Sequence, residues 1–320
     1  MTILVCGEAL YDLFVVGETA DGALRVEARI GGSPLNVAIG LARLGAPSAL
    51  LAGVSRDMLG ARLAAHLRSE GVDDRFLRRT DRLSTISLVG LSESGEPAYA
   101  FYGEGAADRA ISPDDLPAIP EEVDIIHLGS YALVVEPMAD ALAALVDRAA
   151  GRFLSLDPNV RPTVEPRLDR WRTRIDALRR RADLVKVSRE DLAHLHPGAD
   201  AVEIAAAWSE EGPDLVVLTD GARGAIGFRG GQAIPVPAAP VAAPVAAPVA
   251  VVDTVGAGDA FQAALLAQIW SRGLRRGGVR DADPAQIEAM LAYAATAAGL
   301  TCARRGADPP HAQDLPPLDR

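Results

Sequence analysis

The feature that most constrains the fold is an alternation of short apolar runs with amphipathic stretches of helical length. Runs of strand length occupy residues 3–6, 48–52, 125–128, 153–156, 184–187 and 215–219. Helical spacing of apolar side chains marks residues 34–44, 61–70, 138–149, 201–211, 257–272 and 284–300. Strands separated by helices of this length are joined by crossovers, which predicts a mostly parallel central sheet covered on both faces, a three-layer α/β/α arrangement. In such sheets ligands bind beyond the carboxyl ends of the strands.

Two segments break the alternation. Residues 13–30 and 84–104 read as alternating strands with turn residues at Gly22 and at Glu93-Ser94-Gly95-Glu96-Pro97. They predict a small β-sheet standing off the main domain, able to serve as a lid; a pair of surface hairpins is the alternative. Residues 235–250 nearly repeat Pro240-Val241-Ala242-Ala243. Regular proline removes ladder donors, so an extended surface loop is expected there. The 320 residues, 49% of them apolar, suffice for one large α/β domain, residues 1–320, with the lid segments inserted in it.

The net charge of −11 is spread along the chain, which argues against nucleic acid as a partner, since phosphate contacts need a concentrated basic patch. Cys6 and Cys302, the only cysteines, lie in apolar surroundings and read as buried free thiols. No run is long enough to span a membrane, and Met1–Gly7 reads as a first strand rather than a signal peptide. A soluble, cytoplasmic protein is expected. Lys186 is the only lysine.

The richest stretch is Asp253-Thr254-Val255-Gly256-Ala257-Gly258-Asp259-Ala260-Phe261, between a short strand and a long apolar helix. Gly256-Ala257-Gly258 lets the backbone turn tightly and present amide hydrogens, and at a helix start those amides form an anion site. Asp259 lies in the first helical turn, where the helix dipole favours its ionised form. A helix cap would account for either the aspartate or the glycines. A carboxylate beside an anion cradle suits phosphoryl transfer, with a base taking a hydroxyl proton while amides hold the transferring group.

This stretch resembles the C-terminal signature of the ribokinase-like (PfkB) carbohydrate kinases. Gly31-Gly32-Ser33-Pro34-Leu35-Asn36-Val37-Ala38 is similar to their N-terminal signature, and the resemblance runs from Gly7-Glu8-Ala9-Leu10-Tyr11-Asp12 to Arg304-Arg305-Gly306-Ala307. It implies the ribokinase-like fold and an ATP-dependent sugar kinase using Mg2+, with a monovalent cation such as K+. It further implies Asp259 as the catalytic base and Gly256, Ala257 and Gly258 as the anion hole for the γ-phosphate. Asp12, Gly32 and Asn36 match positions that hold sugar hydroxyls. Thr219, Gly221 and Gly224, in Leu218-Thr219-Asp220-Gly221-Ala222-Arg223-Gly224, match a loop beside the nucleotide. Ser188, Glu190 and Asp191 match a strand-end segment beside the nucleotide and magnesium; a helix cap is the alternative reading. Asp253 matches a ligand of the monovalent cation. Asp157-Pro158-Asn159-Val160-Arg161-Pro162 resembles a segment of fructokinases and 2-keto-3-deoxygluconate kinases, with Arg161 able to reach substrate.

The acceptor is read from the lid stretch Tyr99-Ala100-Phe101-Tyr102-Gly103-Glu104-Gly105-Ala106-Ala107-Asp108. Ketodeoxygluconate kinases tend to carry an arginine directly after the aromatic pair, to clamp the substrate carboxylate. Here Gly103 and Glu104 follow, which favours a neutral sugar, fructose first among them, with Phe101 and Tyr102 lining its face. The alternatives are a ketodeoxygluconate kinase, a ribokinase or nucleoside kinase, and a catalytically silent sugar sensor on the same fold. A P-loop kinase is excluded because Lys186 follows no glycine loop, and a dinucleotide dehydrogenase because only Gly7 follows the first strand. Protein kinases are excluded because neither a strand lysine in their setting nor a His-Arg-Asp loop is present. An exposed lid edge invites pairing into a homodimer.

Overall fold

A computed structural model describes residues 1–91, 97–149, 151–239 and 253–318. In chain order the elements are β1 (Thr2–Cys6), β2 (Leu10–Glu18), β3 (Leu24–Gly31), α1 (Ser33–Arg43), β4 (Ser48–Leu51), β5 (Gly53–Ser55), α2 (Met58–Ser69), β6 (Arg78–Thr80), β7 (Ile86–Leu91) and β8 (Pro97–Tyr102). There follow β9 (Val123–Gly129), α3 (Met138–Arg148), β10 (Phe153–Asp157), α4 (Leu168–Arg179), β11 (Leu184–Ser188), α5 (Arg189–Leu195) and α6 (Ala201–Glu210). The chain continues through β12 (Leu215–Thr219), β13 (Ala225–Arg229), β14 (Gln232–Val236), α7 (Ala257–Ser271) and α8 (Pro284–Cys302).

Eight strands form the central sheet in the order β14-β13-β12-β11-β10-β9-β1-β4. All six strands from β12 to β4 in that order are parallel; β13 pairs antiparallel with β12 at one edge, and β14 turns back antiparallel to β13. Side chains alternate across each strand, so Ile3 and Val5 of β1 join the core under α1, α2, α7 and α8, while Leu4 and Cys6 join the one under α3, α4, α5 and α6. Two buried cores on two faces make the three layers expected from the sequence. Deleting a fully buried leucine of either core, such as Leu265 or Leu142, removes packing worth ~2–5 kcal/mol. Cys6 is a buried free thiol and Cys302 a half-buried one.

The small second sheet has the order β3-β2-β7-β8, drawn from the two segments that broke the helical alternation. Its register places Arg29, Asp12, Ser87 and Phe101 opposite one another in a single row across four strands. A third, two-stranded sheet pairs β5 with β6, which the sequence reading did not anticipate.

Several boundaries differ from expectation. The second helix begins at Met58 rather than residue 61, because Asp57 caps it by accepting from the Gly60 amide at 2.7 Å. Helix α4 was not expected: its arginines mask Trp171, Ile175 and Leu178, which are buried at helical spacing. The stretch expected as a loop from residue 235 begins inside a strand, since Pro235 and Val236 belong to β14. Proline is tolerated there because β14 is the sheet edge. Residues 240–252, which hold the repeat, and the expected turn at 93–96 lie outside the described residues.

Candidate active site

Because the inner strands are parallel, their carboxyl ends all reach one edge of the sheet. Gly7 follows β1; Gly129, Asp157, Ser188 and Thr219 end β9, β10, β11 and β12. Unusual backbone gathers at this edge, with Ser130 at φ 60° and Asn159 at φ 40°. Helices α1 and α7 also begin here, and their starts are joined. Ser33 Oγ donates to Asp259 Oδ1 at 2.6 Å and Asn36 Nδ2 donates to Asp259 Oδ2 at 2.8 Å. Both oxygens of the candidate base are thereby aimed, and the carboxylate is 9% exposed.

The start of α7 has the shape expected of an anion cradle. Gly256 is its N-cap in the left-handed region at φ 78°, and a Cβ there would stand 2.5 Å from Ala307 Cβ, so glycine is required twice over. The Ala257 amide bends back to Thr254 O at 3.3 Å. The next amides have no intrahelical acceptor, as at any helix start, and Gly258 is open to solvent. Asp253 braces this turn: Oδ1 accepts from the Val255 amide at 3.0 Å and Oδ2 from the Gly306 amide at 2.9 Å. These two amides occupy the carboxylate expected to bind a monovalent cation.

On the small sheet, Asp12 is half-buried and stands opposite Ser87, its neighbour in the row. Burial holds its carboxyl above the ordinary range, against the pull of Ser87 and of the Arg161 charge. Gly31 is what makes room for it, since a Cβ at that position would collide with Asp12 Oδ2. A Cβ at Gly32 would lie 2.8 Å from Glu8 O, so the chain between lid and α1 can be built only with glycine. Arg161 is exposed and acts electrostatically on both Asp12 and Glu8.

Phe101 shares the face of Asp12, but it packs edge-on to Tyr131 with centroids 5.6 Å apart and lies beneath the Arg109 guanidinium. Tyr102, expected beside it, cannot line the same surface. Adjacent strand residues point to opposite faces, and Tyr102 is 62% exposed on the other one. The absence of a cation at position 103 also needs correcting. A Cβ at Gly103 would lie 2.7 Å from Arg109 Nη2, so an arginine from six residues on fills that place. Beside it stands the buried Asp108, held by Thr85 and by Tyr131 Oη, which donates at 2.6 Å.

In the loop expected beside the nucleotide, Thr219 ends β12, and Gly221 at φ 51° and Gly224 at φ 93° lie in the turn that follows. Asp220 within it binds Arg189 Nε at 2.7 Å. Ser188 caps α5, and Asp191 returns the bond in a capping box while its Oδ1 accepts from the Val160 amide at 2.7 Å. Asp191 is thus committed to the backbone, which supports the cap reading, and Glu190 is exposed. The residues that sequence reasoning missed are Ser33, Ser87 and Lys186. Ser33 lay inside a quoted motif but carries no local mark of its partner, 226 positions away.

The comparisons with known proteins fit this geometry. Residues 2–314 match the model of the pfkB family carbohydrate kinases. The chain belongs to that family. It is an ATP-dependent carbohydrate kinase with a small-molecule sugar as acceptor. This pfkB kinase is 40% identical to a fructokinase of Rhizobium leguminosarum bv. trifolii over 83% of the chain and 79% of that protein. Its fold superposes on a fructokinase from Xylella fastidiosa with bound ATP at a TM-score of 0.82, with 27% identity over 98% of this chain and 95% of the other. A fructokinase double mutant from Vibrio cholerae O395, in a fructose, ADP and potassium ion bound form, gives 0.78 with 25% identity over 96% and 93%. The ribokinase-like architecture expected from the two signatures is therefore shown. Among the described residues no helix is long and apolar enough to cross a membrane.

Proposed function

We propose that this pfkB kinase phosphorylates fructose, on a primary hydroxyl, with Asp259 as the base. The observation that carries the reading is the double clamp on Asp259 by Ser33 and Asn36 at the start of α7. It fixes a carboxylate in the first turn of α7, directly after the Gly256–Gly258 turn. The acceptor hydroxyls dock on Asp12, Gly32 and Asn36, with Arg161 at the margin. As the acceptor oxygen bonds to the γ-phosphorus, Asp259 takes its proton, and the amides of Gly256–Gly258 stabilise the charge on the transferring group. The small sheet acts as a lid that excludes water.

A neutral acceptor is read from Gly103 and Glu104, where no side chain of this strand end offers a cation; the Arg109 guanidinium that fills the space beside Gly103 is stacked on Phe101 and Tyr131, 5.1 and 5.3 Å from their ring centroids. The curated relatives named fructokinase support the same choice.

Thr219, Gly221, Gly224 and Ser188 hold the nucleotide. Magnesium supplies charge neutralisation on its phosphates. Among the described residues no group of three or more His, Cys, Asp or Glu could hold a metal ion; Glu190 is the exposed carboxylate at this strand end that would hold the ion through its waters. A potassium ion beside Asp253 would have to share a carboxylate that two amides already hold. The exposed Val16, Leu24 and Val26 on β2 and β3 support a homodimer through the small sheet, and the kinase works in the cytoplasm on dissolved sugar.

The test is ADP release across fructose, ribose, tagatose, ketodeoxygluconate and nucleosides. Preference for fructose is expected. Preference for the acidic sugar would overturn the neutral-acceptor reading, and sugar binding without ATP turnover would mark a sensor.

A further inference from the structure

Lys186, the only lysine of the chain, lies in β11 and is 4% exposed. Its Nζ donates to Asp157 Oδ2 at 2.7 Å, with both side chains buried. On its other side, a Cβ built at Gly258 would stand 3.1 Å from Nζ. The ammonium therefore lies beside the first turn of α7 at Gly258, within electrostatic reach of Asp259.

Stability is a poor reason for this arrangement. Removing two charges from water costs as much as their attraction returns, unless every remaining polar atom is satisfied. Here Asp157 Oδ1 is buried without a hydrogen-bond partner. The local charge points elsewhere. Burial works against charging Lys186, but Asp157, Asp191 and Asp259 outweigh it and hold its pKa above the ordinary lysine value. Three carboxylates would repel an incoming phosphate group; one fixed cation among them reverses part of that field.

We propose that Lys186 is a catalytic residue, its ammonium contacting the transferring γ-phosphoryl group at the Gly256–Gly258 cradle, with Asp157 as the positioning residue that holds it there. The inference rests on the reading of that cradle as the γ-phosphate site. In the step, the acceptor oxygen bonds to the γ-phosphorus and the bond from phosphorus to the β,γ-bridging oxygen breaks. ADP leaves with that electron pair, the hydroxyl proton passes to Asp259, and Lys186 keeps its own proton throughout.

The experiment compares Lys186→Met with Asp259→Asn and the parent. Lys186→Met should lower kcat ~100- to 1000-fold. Calorimetric affinity for fructose and for ADP alone should stay at parent level, while affinity for ADP with aluminium fluoride, a mimic of the transferring group, falls with kcat. A merely structural role would weaken ADP and ADP–aluminium fluoride alike, and that result overturns the proposal. If Lys186→Met fails to fold because Asp157 is left unpaired, Lys186→Met with Asp157→Leu removes both charges and takes its place. Parent-level kcat in either variant, with Asp259→Asn inactive, sinks the lysine alone. Parent-level kcat in Asp259→Asn as well would sink the reading of the cradle.

Discussion

Ser33 Oγ lies 2.6 Å from Asp259 Oδ1, so the residue that opens one helix fixes the carboxylate in the first turn of another. The two helix starts meet because β3 of the small sheet runs directly into α1 and the two parts of the fold share that junction. Aim, rather than reactivity, is what Ser33 supplies.

Asp259→Asn should lower kcat by ~100- to 10,000-fold, the range a positioned general base supplies. Ser33→Ala leaves the base in place and frees one oxygen, so a loss of about tenfold is expected, the value of one charge-assisted hydrogen bond. Coupled ADP-release kinetics measures both. Fructose affinity by calorimetry without nucleotide should be unchanged in Ser33→Ala. Equal losses in the two variants would mean that Ser33 does more than aim.

Asp12 and Ser87 form a second pair, across neighbouring strands of the small sheet. Asp12→Ala should raise the KM for sugar by roughly 10- to 100-fold, since a carboxylate–hydroxyl contact is worth ~1.5–3 kcal/mol. Ser87→Ala should give a smaller rise of the same kind. Unchanged KM in Asp12→Ala would remove the row from the sugar site.

Glu8 gives a pH dependence whose sign is fixed by its burial. Its pKa is raised from the ordinary 4.5 to about 8, first by desolvation, with Ser130 and Arg161 opposing. Between those values the folded chain holds a proton that the unfolded chain has lost, so this group makes stability fall as pH rises from about 4.5 to 8. Glu8→Gln stays neutral and should lose that contribution, with a Tm that declines less over the window and exceeds the parent's above it. Parallel Tm curves for the two proteins would show Glu8 ionised in the fold.

Gly256→Ala asks a side chain to adopt the left-handed region and to overlap Ala307. The conformation alone costs ~1–3 kcal/mol, and the contact adds to it. A lower Tm together with a loss of kcat is expected. An active protein with the parent's Tm would show that the turn can be rebuilt without its left-handed residue.

How much of this was legible before the structure depends on whether the signal is local. The strands 153–156 and 184–187 were read to within a residue of β10 and β11, because apolar runs between helices have few other ways to fold. The glycine turn at the start of α7 was legible because glycine spacing and an acidic first turn are contiguous. The β13–β14 hairpin was missed although its mark is local: Gly230 and Gly231, both at positive φ, join Arg229 to Gln232 as a two-residue turn. Tyr102 was placed on the wrong face because adjacency in sequence was taken for adjacency in space. The bond of Ser33 to Asp259 and the approach of Lys186 to the start of α7 had no such mark, since each joins elements that only the tertiary fold brings together.

The burial of Lys186 has a use outside catalysis. With its one ε-amine buried on Asp157 at the carboxyl edge of the sheet, the native surface offers an acylating reagent only a lysine that is 4% exposed. Any acetyl group found on Lys186 by mass spectrometry must have arrived while the sheet edge was open. Its rate of appearance is a clock for that opening, set by the breathing of the active-site wall, and nucleotide or sugar that closes the wall should slow it.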